Sequence, residues 1–185
     1  MRCFLAIELP SAIRDRLRDL QKKIGSLGRA VRWTRVENIH LTLKFLGEVP
    51  DDKVPEICDA AVEVAAGFES FDLEIGGTGC FPPGGAARIV WVGMPNPPQM
   101  LLDCQRVCEE SYAKLGFKKE NRPFKPHLTI GRVKNFSASA DIRAAVDQMQ
   151  EFTAGRFTVD ELVMFQSILK PQGPTYIPLL HAPLG

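Results

Sequence analysis

A mixed α+β fold is predicted for this chain: two pseudo-twofold-related lobes, each an antiparallel sheet with flanking helices, around a central cleft. Three observations predict it. The word HLT followed by Leu or Ile occurs twice, at His40 and His127, 87 positions apart in a chain of 185 residues. Around each copy the apolar spacing gives the same order of strand, helix, HLT strand, helix and strand, which marks an internal duplication. The tail adds the strand-like stretches FTVDELVMFQSIL and YIPLL, more sheet than a regular alternating parallel fold needs. Residues 1–185 read as one bilobal domain, long enough to bury a sizeable core.

The elements follow in order. CFLAIEL reads as a strand ended by Pro10, with Ser11 as N-cap of the next helix. Ile13, Leu17, Leu20, Ile24 and Leu27 then recur on one helical face that runs to the Gly25 to Gly28 region. A short extended piece at Val31 to Trp33 leads into the first HLT strand, His40 to Leu46. Val54, Ile57, Ala61, Val64 and Phe68 predict a second helix over 52–66, followed by the extended FDLEI. Residues 76–87, GGTGCFPPGGAA, read as a loop or a bulged strand between the lobes; no GxxxxGK[ST] is present, so the glycines serve turns rather than a phosphate cradle. In the second half RIVWVGM is a strand, PQMLLDCQRVCEESYAKLG a helix and HLTIGRV a strand. ASADIRAAVDQMQEF is a further helix with Ile142, Val146, Met149 and Phe152 aligned.

Composition excludes several classes. At 45% apolar and 24% charged residues the chain is neither disordered nor fibrous. Its longest apolar runs, such as IVWVGM, are too short to cross a bilayer, and MRCFLAIELP lacks the features of a secretory leader, so a cytoplasmic monomer is expected. Five cysteines without repeated spacing argue against a disulfide framework. Cys104 and Cys108, four apart on a helix, read as two small apolar side chains on one face, because no second pair completes a metal site. Net charge is only +1, yet 29–44 (Arg29, Arg32, Arg35 and Lys44 against Glu37) carries +3 and 118–134 carries +5, leaving −7 elsewhere. A phosphate-bearing ligand would be drawn to the HLT copies.

The chemistry follows from alternation. In a strand His40, Thr42 and Lys44 share one face and Leu41, Leu43 and Phe45 the other, and His127 and Thr129 likewise oppose Leu128 and Ile130. If the halves pair about a twofold, two imidazoles and two hydroxyls line one cleft. Opening a cyclic phosphate needs a base for water and an acid for the leaving oxygen, and imidazole titrates where it can do either without metal. Threonine hydroxyls can donate to the non-bridging oxygens, and Lys44 can add charge. His181, in a proline-flanked segment, reads as structural.

HLTLKFLGEV and RPFKPHLTIGRVK resemble the two signature motifs of the two-histidine phosphoesterases, and specifically the RNA 2',3'-cyclic phosphodiesterases historically called 2'-5' RNA ligases. The likeness extends through MRCFLAIELP, VRWTRVENIHLTLKFLG, GTGCFPP and PQGPTYIPLL. It implies hydrolysis of RNA 2',3'-cyclic phosphate ends to 2'-phosphates without metal or cofactor, with ligation of tRNA halves through a 2'-5' bond as the reverse reaction. Carried over by position, His40 and His127 are the catalytic pair, and Thr42 and Thr129 bind phosphate. The resemblance makes His40 the acid and His127 the base, an order the residues alone leave open. Lys44 and Arg132 are candidate substrate contacts; strict alternation puts Arg132 with Leu128 and Ile130 unless Gly131 allows a bulge. Gln166 stands where the resemblance leads one to expect Glu. Two other readings are a phosphodiesterase acting on a small cyclic nucleotide, with Phe45 or Phe124 as a stacking surface, and a non-catalytic RNA-end binding module.

Overall fold

The computed structural model describes residues 1–25 and 30–185. Leu27 and Arg29, and the predicted end of the first helix near Gly28, lie outside the described residues.

The first half contains β1 (Arg2–Ile7), α1 (Ser11–Ile24), β2 (Val31–Trp33), β3 (Leu41–Glu48), α2 (Val54–Ala65) and β4 (Phe71–Phe81). The second contains β5 (Ile89–Gly93), α3 (Gln99–Lys114), β6 (His127–Val133), α4 (Ser139–Asp147), β7 (Thr153–Val159), β8 (Glu161–Ile168) and β9 (Thr175–Pro183). They build two sheets, β3-β1-β8-β9 and β2-β6-β5-β4-β7, in which every pairing is antiparallel. The predicted α+β class and two-lobed plan are what the structure has.

The helices form where periodicity places them. Ile13, Leu17, Leu20 and Ile24 are the buried face of α1, and Ile57, Ala60, Ala61, Val64 and Ala65 that of α2. Ser11 is not a cap: it is the first helical residue, Pro10 holds the capping position, and no side chain caps α1. The fourth helix stops at Asp147 rather than near 152, because the chain tightens into turns (Met149 N–H to Val146 O, 2.9 Å) before entering β7. Met149 and Phe152 still pack on the core.

Each crossover helix covers the opposite lobe. α1 leaves β1 but packs on β7 beside α4, and α3 leaves β5 but packs on β3 and α2. One hydrophobic cluster therefore runs through both lobes, from Leu5 and Ile7 to Leu73, Val90 and Leu128. A smaller cluster of Phe4, Ala6, Val163 and Phe165 lies on the other side of β1, with Tyr176 against it.

The Gly-rich segment divides. Residues 76–81 are the end of β4, bulged near Gly77 (φ +68°), and the loop proper begins at Pro82. Glycine is needed there by close approach: a Cβ on Gly79 would lie 2.1 Å from the Trp91 ring. The bulged-strand reading holds for the first half of that segment and the loop reading for the second.

Gly131 of β6 is a comparable contact. A Cβ there would sit 2.7 Å from Val31 Cγ1 and 2.9 Å from the Trp33 ring. Gly131→Ala is expected to lower unfolding free energy by about 1–3 kcal/mol through overpacking. Gly84→Ala, where a Cβ meets nothing within 4 Å, should change it by no more than about 0.5 kcal/mol. Urea denaturation midpoints check both.

Candidate active site

The strands bearing the two HLT words approach across a cleft of about 1540 Å³, lined by His40, Thr42, His127 and Thr129 together. Their rings are held by the same device. His40 Nδ1 lies 2.8 Å from Asn38 O, and His127 Nδ1 lies 2.7 Å from Lys125 O, in each case the carbonyl two residues earlier. A carbonyl only accepts, so Nδ1 carries the proton and donates it. Nε2 is then the nitrogen left for a ligand, whether it bears a lone pair or a second proton.

The packing around the rings differs. His40 stacks on Phe4 (centroids 4.7 Å apart) and meets Tyr176 edge-on at 5.1 Å, whereas among the described residues His127 has only Phe81 edge-on at 5.0 Å. Burial pushes the His40 pKa down from 6.5 to about 4, opposed in part by the hydrogen bond to Asn38. In the empty protein at neutral pH His40 is uncharged.

Two irregularities decide what else faces the cleft. In β3, Thr42 pairs with Ala6 but Lys44 with Leu5, leaving Leu43 as an extra residue. In β6, Thr129 pairs with Trp91 but Gly131 with Val90, leaving Ile130 extra. Both bulges fall three positions after the histidine, and beyond each the alternation is reversed.

The expected face of Lys44 is therefore corrected. It does not continue the His40 and Thr42 row but is 4% exposed, its ammonium donating to Glu109 Oε2 and Lys118 O, each at 2.6 Å. Phe45, expected in the core, is 70% exposed on the cleft and 5.9 Å from Phe4 between ring centroids. The same reversal brings Arg132, exposed, to the cleft lining, as the bulge alternative anticipated.

Besides the buried Lys44, nine lysine and arginine side chains line the cleft against two glutamates, Glu109 and Glu120. Arg2 and Arg88, neither singled out in the sequence, are among them, and Tyr176 also lines the cleft; Arg2 and Tyr176 lie in the stretches MRCFLAIELP and PQGPTYIPLL that carry the family resemblance, whereas Arg88 does not. Phe124 also lines the cleft, partly buried. Gln166 pairs with Cys3 and Ile177 in the sheet and is not on the lining, which its neighbour Ser167 joins. His181 is 3.0 Å from Glu161 and, with Glu8, makes the one group of three potential metal ligands found among the described residues; none of them lines the cleft. Cys104 and Cys108 are buried on the core side of α3.

Comparison with known proteins gives the same division of the chain. The sequence model of a family described as LigT like phosphoesterase matches twice, over residues 7–91 and 92–176, one HLT word in each. The RNA 2',3'-cyclic phosphodiesterase of Methanothermobacter thermautotrophicus is 35% identical over 176 residues, 95% of each chain. Among solved structures, TT0787 of Thermus thermophilus superposes with TM-score 0.86 at 27% identity, covering 100% of this chain and 98% of that one. Escherichia coli LigT complexed with 3'-AMP gives 0.77 at 28% identity, covering 99% and 97%.

The depressed His40 pKa has a sign. Between about pH 6.5 and 4 the unfolded chain binds a proton that folded His40 does not, so stability falls as pH is lowered through that window, by at most about 1.4 kcal/mol per pH unit. His40→Gln should flatten that slope in urea titrations, and the His40 ring resonances of the free protein should titrate near pH 4. For the buried pair, Glu109→Ala is expected to cost about 3–5 kcal/mol by stranding the Lys44 charge, while Lys44→Met with Glu109→Leu recovers most of it; thermal unfolding distinguishes the two.

Proposed function

The chain belongs to the LigT like phosphoesterase family, and from that premise we propose that it opens 2',3'-cyclic phosphate ends of RNA to 2'-phosphates by paired-histidine catalysis without a metal. The observation carrying this reading is the pair of imidazoles locked alike through Nδ1 and lining one cationic cleft. A cyclic phosphate between them places water on one side of phosphorus and the leaving 3' oxygen on the other. One Nε2 takes the proton of the attacking water as the P–O2' bond is kept and the P–O3' bond breaks. The other Nε2 gives its proton to O3'. The Thr42 and Thr129 hydroxyls donate to the non-bridging oxygens.

The order follows the family resemblance, with His40 as acid and His127 as base. Burial keeps free His40 neutral, so on this assignment it takes up its proton with the anionic substrate, whose charge favours imidazolium. Arg132 adds a fixed positive charge at the cleft. The reverse reaction, with an RNA 5'-hydroxyl in place of water, joins two ends through a 2'-5' bond, and tRNA halves are candidate substrates.

Incubation with an oligoribonucleotide ending in a 2',3'-cyclic phosphate, in EDTA, should yield a 2'-phosphate at an undiminished rate. His40→Ala and His127→Ala should each slow that reaction roughly 10²- to 10⁴-fold. Near-normal turnover by either variant, or loss of activity to the chelator, overturns the reading.

A further inference from the structure

From α3 to β6 the chain runs through residues 115–126 without helix or strand. Lys118, Lys119, Arg122 and Lys125 on it are exposed and line the cleft. Among the described residues none of the four forms an ion pair. Some cations elsewhere on the surface are matched with acids, as Lys53 is with Glu56 and Arg106 with Asp103 and Glu110. Four unmatched charges within eight residues repel one another and need either water or an anion.

The segment is nonetheless fastened to the scaffold. Glu109 of α3 accepts from Lys44 Nζ at 2.6 Å, from the Glu120 N–H at 3.0 Å and from Gln105 Nε2 at 3.3 Å, while Lys44 also donates to Lys118 O at 2.6 Å. The Glu120 carboxylate accepts the Asn121 and Arg122 amides at 3.0 and 3.2 Å. At its far end the Lys125 carbonyl orients His127. A buried ion pair adds little net stability over an apolar pair of the same size, so its presence under a cationic loop points to placement rather than to strength. The cleft, at about 1540 Å³, also exceeds the roughly 300–1,000 Å³ of a small-molecule pocket.

We propose that residues 118–125 form a subsite for backbone phosphates of the RNA nucleotides preceding the reacting end, with Lys44 and Glu109 as positioning residues that hold it beside His127. This rests on the RNA-end reading above and adds the selection of polymeric ends over mononucleotides. Lys44 acts through the loop, not on the reacting phosphorus.

The test compares adenosine 2',3'-cyclic phosphate with a decaribonucleotide ending in a 2',3'-cyclic phosphate. Lys119→Ala with Arg122→Ala is expected to raise KM for the oligomer about tenfold while kcat changes less than twofold on either substrate. The slope of log(kcat/KM) for the oligomer against log salt should become shallower by about 1.4, two contacts at about 0.7 each for a single strand. Lys44→Met with Glu109→Leu should shift oligomer KM the same way while most of the thermal stability is retained and the mononucleotide KM does not move, a split that a purely structural role does not give. Lys22→Ala, on the exposed side of α1, is the control and should alter neither substrate. An equal change on both substrates, or none on the oligomer, overturns the subsite while leaving the hydrolase reading intact. Failure of the unaltered protein to turn over either substrate overturns that reading and the subsite with it.

Discussion

An extra residue in each HLT strand sets what the cleft is made of. A regular strand would offer the cleft His, Thr and the residue two beyond, and would send the next position to the core. With Leu43 and Ile130 inserted, two consecutive residues are buried and the cleft takes the residue five after each histidine: Phe45 on one side, Arg132 on the other. Those two positions are counterparts, one aromatic and one cationic, and a bound nucleotide presents both a base to stack and a phosphate to pair. Lys44 and Gly131 are counterparts as well. Both are turned inward, Lys44 into an ion pair and Gly131 beneath Val31 and Trp33, where no larger residue fits.

Much of this was legible in the residues. The duplicated word, its half-chain spacing and the repeated order of elements anticipated two antiparallel lobes; Ile13, Leu17, Leu20 and Ile24 of α1 and Ile57, Ala61 and Val64 of α2 are buried as read, whereas Ala60 and Ala65 were missed. What alternation could not give was the phase beyond a bulge. Leu43-Lys44-Phe45 has no glycine to announce an irregularity, so strict period-two reading placed Lys44 with the histidine and Phe45 with the core, both reversed. Gly131 did carry such a signal, and Arg132 was accordingly offered two orientations. The exchange of helices between lobes was illegible for another reason: it depends on which sheet each amphipathic face meets, and the α1 pattern is the same whether it packs on its own sheet or on β7.

Charge was legible only in aggregate. The clustering of Lys and Arg around both words anticipated a cationic cleft, but counting charges does not say which are free. Lys44 counts the same as Arg132 in sequence, yet one is consumed by Glu109, sixty-five residues away, and the other is exposed. Long-range pairing of this kind separates charges that are already neutralised within the protein from charges offered to a ligand. The difference matters for phosphate binding, where each unpaired cation that meets a phosphate adds both affinity and salt dependence.

Duplication supplies two equal histidines, but acid–base chemistry needs unequal ones. The inequality comes from the surroundings rather than from the motif. Around His40, β1 contributes Phe4 and β9 contributes Tyr176, and the resulting aromatic enclosure penalises the charged ring. The counterpart of Phe4 in the second lobe is Ile89, and His127 meets a single aromatic edge beside a cationic segment. On the proposed assignment, a His40 that is neutral until an anion arrives binds its catalytic proton together with the substrate, so the acid forms only when there is a phosphate to act on.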